Sequence, residues 1–172
     1  MKILFAICGA SAAGLGLKAF DRLGDEHEKY IVLSESAKTV LEVEENYIFD
    51  NSDISAPSAS GSSKFEAMII APCSMNTLAK ISCGIADNLI TRSAAVMIKE
   101  RRKLLIAPRE LPFDAIALEN MLKLCRLGVI IAPPVIAYYS DRKDIDDLEN
   151  QIIGKWFDLL NIENSLYTRW KT

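Results

Sequence analysis

The strongest constraint on the fold is an alternation between short apolar runs and longer stretches of helical periodicity. Five apolar runs are predicted to be buried strands: Lys2–Ile7 and residues 30–33, 67–71, 104–107 and 129–132. Helical patterns fall at residues 13–23, 114–127 and 144–160. Parallel strands joined by right-handed helical crossovers are the usual result of such an alternation. We therefore predict an α/β, three-layer, doubly wound Rossmann-like fold with a mainly parallel sheet.

Length and composition limit the organisation and the function classes. The 172 residues, half of them apolar, suffice for one domain, which we place at residues 1–160. Residues 161–172 are predicted to be a C-terminal arm that covers the site or a neighbouring subunit. A net charge of −3 argues against a polybasic nucleic-acid binder. No apolar window reaches 18 residues, so no membrane span is expected, and the start of the chain resembles a strand more than a signal peptide.

Histidine and cysteine usage narrows the chemistry further. The single histidine, His27, leaves almost nothing for a histidine-ligated metal or a histidine-based triad. The four cysteines form no CxxC pair and sit among apolar neighbours. They are predicted to be reduced core thiols of a cytoplasmic protein.

Ligands of doubly wound sheets bind at the carboxyl ends of the strands, which directs attention to the loop after the first strand. Residues 9–14, GASAAG, are small enough for close backbone approach, and a helix start follows that favours an anion. Leu15 and Gly16 stand where a Walker A loop needs Lys and Ser or Thr. The second strand ends at Ser34, not at an acid that could hold the ribose of NAD. A mononucleotide such as FMN fits better; a plain tight turn is the alternative.

The later loops carry further polar groups. Ser74 and Thr77 either cap a helix or hold a flavin ring or phosphate. Arg109 and Glu110 follow the fourth strand and indicate phosphate binding beside a proton donor or acceptor. Tyr139, after the fifth strand, is a phenolic donor or a cover of the core. The serine-rich residues 52–63 indicate a flexible loop or a loop that contacts ligand.

Seven motifs stand in an order that is known from one family. They are GAS at 9–11, SASGSS at 58–63, PCS at 72–74, DNLITR at 87–92, KERR at 99–102, PRELPF at 108–113 and LENMLK at 118–123. In this order they resemble flavin prenyltransferases of the UbiX type over nearly the whole chain. The last three motifs are the most specific.

The resemblance implies an activity, a cofactor and partners. The family transfers the dimethylallyl group of dimethylallyl monophosphate to N5 and C6 of reduced FMN, without a metal. The prenylated FMN is then used by UbiD-type decarboxylases, including the one in ubiquinone synthesis. The family assembles as a homo-oligomer, a dodecamer, with sites between subunits.

The resemblance also implies roles for individual residues. Flavin binding is expected at Gly9, Ala10, Ser11, Ser34, Ser74, Thr77 and Arg92. Binding of the prenyl phosphate is expected at Lys99, Arg109, Glu110, Tyr139, Lys155 and Trp170. Catalytic roles are expected for Ser11, Glu44 and Glu110. Two positions depart from the family pattern: Ala12 replaces a glycine, and Lys155 replaces an arginine and so loses its bidentate fork.

Two other functions are compared with this hypothesis. A flavin-dependent cysteine decarboxylase, acting on phosphopantothenoylcysteine or peptidyl-cysteine, has motifs like residues 72–77 and 84–88. That enzyme also needs an early active-site histidine and a Pro-x-Met-Asn motif after the fourth strand, where this chain has PREL at 108–111. A flavin-storage or scaffold protein without catalysis would not require Lys99, Arg109, Glu110 and Tyr139 to lie together at one edge of the sheet.

Overall fold

The chain forms a six-stranded parallel sheet. The computed structural model describes residues 1–9, 11–41, 48–137 and 144–169. The strands are β1 (Lys2–Ile7), β2 (Glu28–Leu33), β3 (Ile48–Phe49), β4 (Ala67–Cys73), β5 (Lys103–Pro108) and β6 (Ile130–Ile131). Their order is β3-β2-β1-β4-β5-β6, and each neighbouring pair is parallel. The order reverses between β1 and β4, which is where such sheets place a ligand crevice. The predicted Rossmann-like fold is confirmed.

Helices cover both faces of the sheet. They are α1 (Ala13–Arg22), α2 (Glu35–Lys38), α3 (Met75–Ser82), α4 (Leu89–Lys99), α5 (Ala115–Arg126) and α6 (Ile145–Leu160). Helices α1 and α6 pack on one face, with Phe5 of β1, and α3, α4 and α5 pack on the other, with Leu4. Successive residues of β1 therefore enter opposite cores, which explains why the strand is apolar throughout. None of the helices in the described ranges has the length and apolar character needed to cross a bilayer.

Several element boundaries differ from the sequence prediction. Strand β2 begins two residues earlier than predicted, and β4 continues past Pro72 to Cys73 with a shift in register. The short helix α2 and the two-residue strand β3 have too few residues for a periodic pattern, and neither was predicted. Asp114 caps α5, and its Oδ1 accepts a hydrogen bond of 2.7 Å from the Ala117 N–H.

Helix α5 has two apolar faces. The sequence places Leu118, Met121, Leu122 and Cys125 on one side, but the sheet-facing residues are Ala117, Met121 and Leu124. Leu118 and Leu122 remain 53% and 51% exposed. Helical periodicity finds apolar stripes, but it does not say which stripe meets this chain's own core.

The serine-rich segment is not the flexible loop that its composition suggests. It contains two short 3-10 turns, Pro57–Ala59 and Gly61–Ser63, that lie along α4. Ser58 is buried and its hydroxyl receives a 2.9 Å hydrogen bond from Ser93. Just before this segment, Asn51 Oδ1 accepts a 3.1 Å hydrogen bond from the Ile90 N–H at the start of α4. The segment thus fixes α4 against the sheet.

Candidate active site at the carboxyl edge of the sheet

A pocket of about 170 Å³ opens where β1, β4 and β5 end. We call it the edge pocket. Two backbone hydrogen bonds join the three strand ends: Cys8 N–H to the Pro72 carbonyl at 3.0 Å and Arg109 N–H to the Cys73 carbonyl at 3.2 Å. The lining residues are Cys8, Gly9, Ser11, Pro72, Cys73, Ser74, Met75, Arg109 and Glu110. Five of these were predicted site residues: Gly9, Ser11, Ser74, Arg109 and Glu110.

The loop after β1 is held open by a hydroxyl from the next strand. Gly9 adopts φ +88°, and a Cβ atom built on it would meet nothing within 4 Å, so its surface is free for a ligand. Its N–H donates to Ser34 Oγ at 3.1 Å. The same oxygen accepts from the Ala37 N–H at 3.3 Å as the cap of α2. Ser34 therefore positions the loop without lining the edge pocket.

Helix α1 starts at this pocket without a side-chain cap. Its first flanking residue, Ala12, has φ 63° and offers no capping group. Within the described ranges, the N–H groups of Ala13 and Gly14 have no acceptor. Free N–H groups at a helix N-terminus, together with the helix dipole, favour an anion.

Helix α1 approaches β4 unusually closely. A Cβ atom built on Gly16 would lie 1.9 Å from the Ala71 carbonyl oxygen. Only glycine permits this approach, which fixes the position of α1 against β4.

Helix α3 contributes a second N-terminus to the edge pocket. Ser74 Oγ accepts from the Thr77 N–H at 3.3 Å and donates to Thr77 Oγ1 at 3.1 Å. The predicted capping arrangement is therefore present. In the described part of the chain the N–H groups of Met75 and Asn76 have no acceptor. Two helix N-termini thus direct partial positive charge toward the same edge.

Arg109 and Glu110 complete the rim of the edge pocket. Both side chains are exposed. Glu110 Oε1 accepts a 3.1 Å hydrogen bond from the Leu111 N–H, which directs the carboxylate back along its own loop. Among the residues described, Arg109 has no ion pair. Its charge is therefore available to an anion.

Two thiols form an inert wall of the edge pocket. Burial raises the pKa of Cys8 to about 12, and a hydrogen bond with Thr77 offsets only part of that effect. Burial also raises the pKa of Cys73 well above its ordinary value. Both remain neutral thiols near neutral pH and are poor nucleophiles. The sequence prediction of core thiols is confirmed for Cys8 and Cys73, whereas Cys83 and Cys125 are exposed.

The two basic residues predicted on α4 lie outside the edge pocket. Arg92 is exposed on the second turn of the helix, and Lys99 is 67% exposed on its last turn, 3.1 Å from Glu100. Lys99 lies just before β5 begins, whereas Arg109 follows the end of that strand. Five residue steps of strand, roughly 17 Å, separate those two ends. Within one chain, therefore, Lys99 and Arg109 lie at opposite edges of the sheet.

Lys155 lines a separate cavity of about 290 Å³, which we call the α6 pocket. The indole of Trp156 donates to the Ala132 carbonyl at 3.0 Å and joins α6 to the segment after β6. The lining residues are Ala132, Pro133, Val135, Ala137, Gln151, Ile152, Lys155, Trp156, Tyr167 and Arg169. Four predicted site residues, Ala10, Glu44, Tyr139 and Trp170, lie outside the described residues. Within the described ranges, no group of three or more metal-ligating side chains is present.

Comparison with known proteins places this geometry in a family. The family model described as Flavoprotein matches residues 1–157. The chain is 45% identical to "Flavin prenyltransferase UbiX" of Campylobacter jejuni subsp. jejuni serotype O:2, with 99% of each chain covered. A crystal structure of AnUbiX in complex with FMN and dimethylallyl pyrophosphate superposes with a TM-score of 0.93 at 37% identity, covering 99% of this chain and 97% of that one.

Other solved structures define the limits of the likeness. A dodecameric FMN-dependent UbiX-like decarboxylase from Escherichia coli O157:H7 gives a TM-score of 0.94 at 35% identity, with 100% of both chains covered. A PPC decarboxylase, of the alternative cysteine decarboxylase type, gives 0.64 at 22% identity over 78% of this chain and shows the fold alone. The shared motifs, the full-length similarity and the parallel sheet agree: the chain belongs to the UbiX family of flavin prenyltransferases.

Proposed function

We propose that this chain transfers the dimethylallyl group of dimethylallyl monophosphate to N5 and C6 of reduced FMN, and so makes prenylated FMN. The observation that carries the proposal is the edge pocket, where two helix N-termini have N–H groups without an acceptor, and Arg109 has no ion pair, among the residues that the structure describes. A site of this kind suits two phosphorylated ligands and needs no histidine.

The residues at the edge pocket fit a flavin mononucleotide. The N–H groups of Ala13 and Gly14, which have no acceptor within the described ranges, suit a phosphate, and the open surface of Gly9 allows close approach of a ligand. Ser11, Ser34, Ser74 and Thr77 supply or position hydroxyl groups around the same loops. Ala10 and Arg92 complete the proposed flavin-binding set. Reduced FMN, when bound, supplies the nucleophilic atoms of the reaction.

The chain's own part in bond cleavage is to stabilise the leaving phosphate. As the C–O bond of the allyl phosphate stretches, negative charge grows on the phosphate, and a fixed cation lowers that barrier. Arg109 provides this charge from the edge pocket, and Lys155 provides it from the α6 pocket. Lys99 lies at the opposite edge, so we propose that it serves the site of a neighbouring copy. Tyr139 and Trp170 are proposed to complete the substrate pocket.

Proton handling falls to carboxylate and hydroxyl groups. Ring closure at C6 requires removal of a proton, and we assign the groups near N5 as Ser11 and Glu44. Glu110 is proposed to hold the phosphate or its proton, since its carboxylate is exposed at the rim of the edge pocket. Water must be excluded during this step because it would capture the allyl group as an alcohol. We propose that water is excluded by residues 161–172, as a C-terminal arm of the domain at residues 1–160, together with a neighbouring copy.

Assembly and partners are part of the same proposal. The E. coli relative is dodecameric, and α5 with its preceding loop exposes large apolar side chains, including Leu111 at 91% and Ile116 at 70%. Apolar surface of this kind is typical of contacts between proteins. We propose a homododecamer in the cytoplasm that acts without a metal and delivers prenylated FMN to a UbiD-type decarboxylase, including one in ubiquinone synthesis where that pathway is present.

The decisive experiment supplies the protein with reduced FMN and dimethylallyl monophosphate under anaerobic conditions. The flavin is then released and weighed by mass spectrometry. We expect the mass to rise by one C5 unit. An unchanged flavin mass in the presence of both substrates contradicts the proposed function.

A matched pair of variants tests the role of the edge pocket. Arg109→Ala removes a hydrogen bond to a charged group, which is worth about 1.5–3 kcal/mol, so kcat/KM for the prenyl phosphate should fall by roughly 10- to 100-fold. Arg126→Ala removes an equal charge from the exposed end of α5, outside both pockets, and should leave kcat/KM unchanged. Equal effects of the two variants would show that net charge, not the position of Arg109, controls binding.

A further inference from the structure

Three donors converge on one carboxylate at the end of α6. Asp158 Oδ1 accepts from Asn164 Nδ2 at 2.9 Å and from Arg169 Nη2 at 2.7 Å. Asp158 Oδ2 accepts from the Tyr167 hydroxyl at 2.6 Å. All three donors belong to the segment that follows α6 and folds back along it. One side chain therefore ties residues 164–169 to the helix.

A second contact, one helical turn earlier, fixes the position of this segment. A Cβ atom built on Gly154 would lie 2.5 Å from Tyr167 Cδ1, so the ring rests directly on the helix backbone. Asn164 Nδ2 also donates to the Gly154 carbonyl at 3.3 Å. Positions 154 and 158 share one face of α6. The segment is thus held at two points and cannot slide along the helix.

The held segment forms part of the wall of the α6 pocket. Tyr167 and Arg169 line that cavity opposite the residues after β6, whereas Asp158 does not line it. Lys155, on the same helix, also lines the cavity and has no ion pair among the residues described. Asp158 therefore acts on the pocket only through the residues that it holds.

The two cations of the α6 pocket, Arg169 and Lys155, differ in whether a carboxylate binds them. Burial of Asp158 favours its neutral form, but the hydrogen bonds from Tyr167, Arg169 and Asn164 outweigh this and leave its pKa below the ordinary value. The ion pair in turn raises the pKa of the Arg169 guanidinium. Arg169 is thus engaged by a carboxylate at 2.7 Å, while Lys155 remains the cation available to an anion.

We propose that Asp158 is a positioning residue that clasps residues 164–169 onto α6, and so closes the α6 pocket around the phosphate of the prenyl substrate. The clasp rests on the proposed function. It retains the substrate and takes no part in bond formation. Its loss should therefore weaken binding of the prenyl phosphate while leaving the bound substrate to react at an ordinary rate.

The test compares Asp158→Ala with Glu163→Gln. Glu163 is exposed in the same segment and has no ion pair in the described structure, so its variant loses one charge without releasing the clasp. Asp158→Ala should raise KM for dimethylallyl monophosphate about 10-fold with kcat unchanged, whereas Glu163→Gln should alter neither. FMN affinity should stay the same in both, because the edge pocket lies at other strands. Asp158→Asn, which keeps one acceptor oxygen, should give an intermediate KM.

A measurement without substrate tests the clasp itself. Trypsin should cut after Arg169 at least several-fold faster in Asp158→Ala than in the unchanged protein or in Glu163→Gln, as followed by intact mass. Unchanged cleavage and unchanged KM overturn the proposal, and so does a fall in kcat at constant KM. If Asp158→Ala weakens FMN binding as well as raising KM, the variant is generally unfolded, and this result also overturns the proposal. If the unchanged protein fails to prenylate FMN, the proposed function fails, and the trypsin result still decides whether Asp158 holds the segment.

Discussion

Replacing Gly16 with alanine should damage the flavin site from a distance. The added Cβ would lie 1.9 Å from the Ala71 carbonyl oxygen, while ordinary contact begins at 3.4 Å. Helix α1 must therefore move by about 1.5 Å away from β4, or β4 must yield. Ala71 is buried in the strand, so the movement falls mainly on the helix. The N–H groups of Ala13 and Gly14, at the start of α1, then move relative to the edge pocket.

The magnitude follows from two opposing effects. Alanine is favoured over glycine inside a helix by about 1 kcal/mol, whereas overpacking a close contact costs about 1–3 kcal/mol or more. We expect a net loss of up to about 2 kcal/mol in the free energy of unfolding, measured by urea denaturation. Loss of a hydrogen bond to the charged phosphate, worth about 1.5–3 kcal/mol, should weaken FMN binding by roughly 10- to 100-fold, measured by quenching of flavin fluorescence.

A matched substitution on the same helix controls for helix propensity. Gly14 has open space around its Cβ position, so Gly14→Ala should raise the free energy of unfolding by up to about 1 kcal/mol. The reasoning is refuted if Gly16→Ala also stabilises the protein, or if it binds FMN as tightly as the unchanged chain. Either result would mean that α1 does not approach β4 as closely as described.

Three further predictions concern the surroundings of the site. Ser34→Ala removes the acceptor of the Gly9 N–H and the cap of α2, so it should cost about 1 kcal/mol of stability and lower FMN affinity in a fluorescence titration. Because the pKa of Cys8 is raised to about 12, roughly one thiol in 10⁴ is ionised at pH 8, and iodoacetamide should label exposed Cys83 long before Cys8 by peptide mass spectrometry. Asn51→Ala should cost about 1 kcal/mol in urea denaturation, because the start of α4 loses an acceptor, with FMN affinity unchanged.

The sequence predicts the parts of the fold that local patterns control. Lys2–Ile7 was predicted with its observed boundaries because a strand buried on both faces is apolar at every position. Strand β3 has only two residues and depends on pairing with β2, so no local pattern marks it. The serine-rich segment acquires its structure from contacts with α4, which composition does not reveal. Local patterns therefore predict long elements, and tertiary contacts determine the short ones.

The candidate site was predictable to the extent that strand ends define it. Gly9, Ser74 and Arg109 each follow a predicted strand, and the parallel topology brings them to one pocket. Lys99 is grouped with Arg109 through the family resemblance, and both flank the same strand in sequence. Lys99 precedes β5 and Arg109 follows it, so the two residues lie at opposite ends of the strand although they are only ten positions apart in sequence. Asp158 was missed because its role depends on a segment that returns along α6.

The separation of Lys99 from Arg109 along β5 has a genetic consequence. If each site takes Lys99 from one copy and Arg109 from another, Lys99→Ala and Arg109→Ala damage different halves of a shared site. Mixed assembly of the two impaired chains would leave about one quarter of the sites with both basic residues intact. A cell with two differently damaged alleles could thus retain activity that neither allele supports alone.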